Sequence, residues 1–221
     1  MKKTTLFLLV VLSLLCFLSS CAKPQGLEIY LSELRSEIFA GSNENLSIKA
    51  FYGFKETPYH NDGKIGNKDY FLSFRLANTE TTDVNYYVVF NHNGKEFVAE
   101  FKAHPVSHLL IAEIPLDDFN KKEFEITIRY AENHVPIKLS SLLPKQTISY
   151  KQALDNIEKN QAQLLKSFYV DGVFSAEIYQ RILVKDGKPY WYVGFACGND
   201  RLKALLVDGI SGEILAIREL L

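Results

Sequence analysis

From Leu46 to Leu139 apolar residues return at every second position in short runs separated by turn residues, and this alternation constrains the fold more than any other feature of the chain. A strand turns successive side chains to opposite faces, so such a run buries one face and wets the other. Leu46, Ile48, Ala50, Tyr52 and Phe54 make the first run; Tyr70, Leu72, Phe74 and Leu76 the second; Tyr86, Val88 and Phe90 the third. Phe97, Ala99 and Phe101 follow, then residues 109–114, then Phe124, Ile126, Ile128 and Tyr130, and last Val135, Ile137 and Leu139. Breaks fall in the Gly/Asn/Asp-rich stretch 58–68, at Asn91-His92-Asn93-Gly94 and at Pro115. Short strands at this spacing predict an N-terminal β-sandwich, immunoglobulin-like in shape. The Cys…Trp…Cys spacing of true immunoglobulin domains is absent.

The pattern changes near residue 145. Ser149 and Gln152 match the S-x-x-Q capping box that starts a helix. Ala153, Ile157, Gln161, Leu164 and Leu165 then share one helical face, with Leu154 beside it. Four strand runs follow: 173–184, 189–196, 202–207 and 213–217, with turn signals at Lys185-Asp186-Gly187-Lys188 and Asp208-Gly209-Ile210-Ser211-Gly212. The predicted fold is mainly β with α+β: the sandwich, then a small domain of one helix and four antiparallel strands. Between residues 27 and 39 the apolar spacing Leu27, Leu31, Leu34, Ile38 fits a helix and also the beginning of a strand. With 221 residues, 47% of them hydrophobic, and a net charge of −1, the chain is neither a disordered tail nor a nucleic-acid binder driven by bulk charge. Three cysteines make no disulfide framework.

The first residues read as an address. Lys2 and Lys3 precede an uncharged apolar run over 6–18, too short to span a bilayer and suited to a signal peptide. Leu18-Ser19-Ser20-Cys21 then resembles the bacterial lipobox. That resemblance implies cleavage after residue 20, a diacylglyceryl group on Cys21 and attachment to the outer side of the cell membrane. The shortened chain loses Lys2 and Lys3, leaving 23 basic against 26 acidic residues and a net charge of −3. Lipid, and not a basic patch, would then hold it at the membrane. The expected divisions are a signal peptide over 1–20, a lipidated cysteine and tether over 21–45, the sandwich over 46–144 and the small domain over 145–221.

Three features of the small domain carry a second resemblance: Ala153 in the helix, Asp186-Gly187-Lys188-Pro189-Tyr190-Trp191-Tyr192-Val193, and Leu206-Val207-Asp208-Gly209-Ile210-Ser211-Gly212-Glu213-Ile214-Leu215. From about residue 148 to 220 the chain resembles a PepSY domain, a small extracytoplasmic bacterial module found in propeptides of thermolysin-type proteases, in spore-germination proteins and as free-standing secreted or lipidated units. Gly209 and Ser211 stand where that family usually has Ala and Thr. The resemblance implies inhibition or regulation of a protease, or contact with the envelope, without catalysis.

Chemistry-bearing motifs are sparse. No HExxH, GxSxG, P-loop or GxGxxG occurs. His104 and His108 have helical ligand spacing, yet Pro105 lies between them and their flanks read as strand, where positions four apart are about 13 Å from each other. Cys197 reads as a small buried hydrophobe and Asp208 as a turn former. No catalytic, metal or cofactor site is expected. Tyr190, Trp191, Tyr192 and Phe195 supply the candidate partner surface, because a single helix covers one sheet face and leaves the other to be explained. The expected function is a lipid-anchored, non-catalytic binding or regulatory module of the envelope, its partners the membrane, through the lipid, and an envelope protein such as a protease, with no nucleic acid. A spacer or assembly factor binding through the sandwich, and a hydrolase with a dispersed site, are the alternatives.

Overall fold

One strand organises the molecule. In the computed structural model, which describes residues 26–57, 66–77, 84–106, 109–198 and 201–220, a 3-10 turn at Leu27–Tyr30 leads into strand β1, Leu31–Ser42. The lipobox and Cys21 lie outside the described residues. The segment left open between helix and strand is therefore a strand. Its register slips twice, and the first slip gives Leu31 and Leu34 the three-residue spacing that also fits a helix. Against its neighbour β12 (Glu177–Lys185) the register shifts between Leu31 and Glu33, and against β2 (Ser47–Thr57) it shifts between Arg35 and Glu37. Ser32 and Ser36 are the extra residues. The first slip returns Leu34 to the face of Leu31; the second turns Ile38 to the opposite face, beside Phe51, and brings Phe39 to the inner one. Gly53, the partner of Arg35, lies opposite the second slip: a Cβ there would sit 1.7 Å from the Leu34 carbonyl oxygen.

The remaining strands of the first region are β3 (Asn67–Ala77), β4 (Tyr86–His92), β5 (Lys95–Glu100), β6 (Lys102–Ala103), β7 (Leu110–Pro115), β8 (Glu123–Tyr130) and β9 (Asn133–Ser141). Their ladders do not divide into the two facing sheets expected of an immunoglobulin-like sandwich. Antiparallel pairings run β1–β2–β3–β7–β6 in one direction and β1–β9–β8–β4–β5 in the other. β5 and β6 are separated by Phe101 alone, whose N–H donates to the Tyr86 carbonyl. The two arms thus meet and the sheet comes close to a barrel. Alternation sends Ile48, Ala50, Leu72, Phe74, Val88, Phe90, Ala112, Ile114, Ile126, Ile128 and Leu139 inward, where they form a filled core with Phe39, Tyr86, Phe119 and Phe124. These nine strands, with β5 and β6 following each other almost without a break, surround an interior that side chains fill.

The other region grows from the first half of β1. Leu31, Leu34 and Arg35 pair with Ile178, Gln180 and Arg181 of β12, and this ladder is parallel. β13 (Lys188–Cys197), β14 (Arg201–Asp208) and β15 (Ile214–Leu220) continue the sheet antiparallel. Helix α1 (Tyr150–Asn160), short α2 (Ala162–Lys166) and the ribbon β10–β11 (Tyr169–Val170, Val173–Phe174) precede these strands. α1 begins as its sequence predicts: the Gln152 N–H donates to Ser149 Oγ at 3.2 Å, and the Ser149 N–H donates to Gln152 Oε1 at 2.8 Å. Ala153, Leu154 and Ile157 bury themselves against the sheet. Leu27, Leu31 and Leu34 belong to this same core. Phe39, at the other end of the strand, belongs to the barrel core. Residues 27–42, read from the sequence as the end of a tether, are thus part of both cores. The structure as a whole is mainly β with little helix.

Candidate functional site

The four aromatics of β13 divide by parity. Trp191 and Phe195 turn toward α1 and are 2% and 0% exposed; Trp191 Nε1–H donates to the Ile148 carbonyl at 3.0 Å and Phe195 stacks on Phe168. These two therefore leave the predicted partner surface. Their burial is the reason the helix packs where it does. Tyr190 and Tyr192 point to the opposite face and are half-buried. Register places Leu183 beside Tyr190, and Arg181 and Leu206 on either side of Tyr192. Leu183 is 40% exposed, and the Arg181 guanidinium carbon lies 5.2 Å from the Tyr192 ring centre. A Tyr ring with an adjacent guanidinium offers apolar area, hydroxyl hydrogen bonds and positive charge on one surface. Among the described residues no helix covers this face.

The turns of the small domain are held by their own polar groups. Asp208 accepts from the Ile210 N–H at 2.8 Å and the Ser211 N–H at 2.7 Å. Those two backbone bonds hold its carboxyl below the usual range. Gly212 has φ +76°, and Asp186 and Gly187 have φ +50° and +74° at the β12–β13 hairpin. Both turns need left-handed backbone, which Gly adopts freely and Asp tolerates. Cys197 is buried in the helix-side core. These residues serve the fold.

Other chemistry-bearing side chains stay dispersed. His92 is buried against Phe90 and Phe119, His104 is exposed after β6, His134 is exposed near the start of β9, and His60 and His108 lie outside the described residues. No group of three His, Cys, Asp or Glu side chains that could hold a metal occurs among the described residues. A groove of about 760 Å³ runs between the barrel and α1, lined by Glu37, Lys122, Glu123, Ser140, Thr147 and Ser149 among others. Its carboxylates already have partners: Lys122 Nζ is 3.1 Å from Glu37, and Lys138 Nζ is 2.7 Å from Glu123. Lys138, with Ser140, holds the Glu123 carboxyl below its ordinary range. Both carboxylates of the groove are thus paired, apolar Leu143, Pro144 and Ile148 share its walls, and among the described residues it presents no matched set of acid, base and nucleophile.

Comparison of the chain with protein-family models, with curated proteins and with solved structures finds no match.

Proposed function

We propose that the chain is a lipid-anchored, non-catalytic binding module of the bacterial cell envelope, tethered through Cys21 and recognising an envelope protein with the helix-free face of its C-terminal sheet. The observation that carries this reading is the placement of Tyr190, Tyr192 and Leu183 together on that face, while Trp191 and Phe195 of the same strand are wholly committed to the core. Aromatic residues anchor interfaces because they bury large area at small entropic cost. The PepSY-like pattern over about 148–220 makes an extracytoplasmic protease the partner class of first choice. In this reading 46–144 is a β domain that carries the module and 145–221 is the part that binds, with β1 joining them.

The test is a photocrosslinking amino acid placed at Tyr192 of the full chain, in cells of the source bacterium. One discrete covalent adduct is expected, absent when the probe is moved to exposed Glu125 on the barrel. Equal labelling from both positions, or none from Tyr192 when the protein is present at the membrane, would overturn the assignment. Lipid attachment is checked separately: Cys21→Ala should leave an uncleaved precursor lacking the acyl mass.

A further inference from the structure

Beside the tyrosine face, where β12 and β1 part company, four cations line one pocket. Its volume is about 240 Å³, and Arg35, Lys49, Arg75, Arg181 and the ring of Phe51 contribute to its walls. No carboxylate lines it. Strand register makes this arrangement unusual. Arg35 and Arg181 are direct partners across the β1–β12 ladder, and Lys49 and Arg75 are direct partners across the β2–β3 ladder. Like charges opposite each other on a sheet are destabilising, and here two such pairs share one site. The guanidinium carbons of Arg75 and Arg35 lie 4.7 and 5.9 Å from the Phe51 ring centre, so this ring forms a floor beneath both.

Compensation within the protein is small. Glu33 binds Arg35 Nε at 2.7 Å from outside the pocket. Among the described residues no ion pair joins Arg75, Arg181 or Lys49 to a carboxylate. Arg75 Nε is buried without a hydrogen-bond partner. Burial, followed by the charges of Arg35 and Arg181, lowers the Arg75 pKa from its ordinary value. A buried donor left unpaired is destabilising until a ligand meets it, and the chain as a whole has a net charge of only −1. The concentration of positive charge is thus local, and it is built from guanidinium groups, whose planar donor forks match the oxygens of phosphate.

We propose that this pocket binds a phosphoryl group, with Arg35, Arg75 and Arg181 donating to its oxygens and Lys49 adding charge at the rim. The phosphoryl group belongs either to a soluble phosphorylated compound or to the headgroup of an anionic phospholipid. The assignment is independent of the protein-binding reading, since it uses a ligand and a readout that the crosslinking experiment does not.

Thermal unfolding of the full chain in non-ionic micelles tests it, read by circular dichroism with inorganic pyrophosphate titrated at constant ionic strength. A ligand that binds only the folded state raises the melting temperature; at ten times its dissociation constant the rise is about 4 °C for a chain of this size. Micelles doped with phosphatidylglycerol, compared with phosphatidylcholine, report the lipid source. Arg181→Gln changes an exposed side chain and leaves the buried ones in place. It should raise the melting temperature without ligand, by relieving the repulsion with Arg35, and weaken the ligand-induced rise at least tenfold in concentration. A rise with pyrophosphate alone assigns a soluble ligand, and a rise with phosphatidylglycerol alone assigns a lipid. No rise with either, or a rise that Arg181→Gln leaves unchanged, overturns the proposal.

Discussion

The barrel and the helix-covered sheet solve the same problem in different ways. Each must bury one apolar face of a twisted sheet. The barrel does so by curling on itself, so that its strands cover one another and its arms meet at β5 and β6. The C-terminal sheet does so by borrowing: α1 covers one face, β1 covers the β12 edge, and the opposite face is left with Tyr190, Tyr192 and Leu183. The lesson concerns where function can reside. A nearly closed barrel with a filled interior has spent its apolar surface, whereas a one-sided sheet retains a face to offer.

Substitutions on β13 give the sharpest test of that contrast, and the largest expected effect. Trp191→Ala removes a side chain that is 2% exposed and its bond to the Ile148 carbonyl, so a loss of about 3–5 kcal/mol is expected in denaturant unfolding. The pair Tyr190→Ala and Tyr192→Ala, on the helix-free face, should cost about 1 kcal/mol in total and abolish the crosslink. Equal losses from the two variants would mean that both faces are core, and the contrast between the regions would fail.

Gly53→Ala probes the point where β1 passes from one region to the other. The added methyl meets the Leu34 carbonyl oxygen at 1.7 Å, and backbone must move to accept it. A loss of about 1–3 kcal/mol is expected from overpacking. An Ala variant as stable as the parent would show that the second register slip does not require this close approach.

What the sequence disclosed, and what it hid, follows from the range of the interactions. The alternation of Leu72, Phe74 and Leu76, or of Phe124, Ile126 and Ile128, is set within each strand and predicted its inward face. The capping box at Ser149 and the turn at Asp208 involve neighbours two or three residues apart, so they too were readable. The near-closure of the barrel depends on which strands pair, β5 with β4 and β6 with β7, and period two carries no record of pairing. β1 was ambiguous because the slip at Ser32 lets Leu31 and Leu34, three residues apart, share a face as they would on a helix, while Ile38 lies past a second slip and faces the other way. The arginine pocket was invisible for the same reason: Arg35, Lys49, Arg75 and Arg181 come from four strands and are brought together only by register.

The smallest expected effect is a pH dependence. The Asp208 carboxyl has its pKa lowered in the folded state by the Ser211 and Ile210 N–H groups. Its contribution is present above the unfolded carboxylate pKa and is lost as pH falls through the folded one. Asp208→Asn should therefore lose less stability than the parent as pH falls below about 4, the ordinary range of an Asp carboxyl. Parallel acid limbs in the two proteins would remove Asp208 as a source of that dependence.

The central claim is that β1 makes one cooperative structure of two cores. Trp191 is the only tryptophan and lies in the helix-side core, so its fluorescence reports that region alone. Phe74 is fully buried in the barrel core. Unfolding of the Phe74→Ala variant, followed by Trp191 fluorescence and by circular dichroism together, tests the claim directly. A shared strand predicts that the Trp191 transition moves to lower denaturant with the barrel, in one coincident step. A Trp191 transition that stays where it is in the parent, while circular dichroism shows the barrel unfolding earlier, would contradict it.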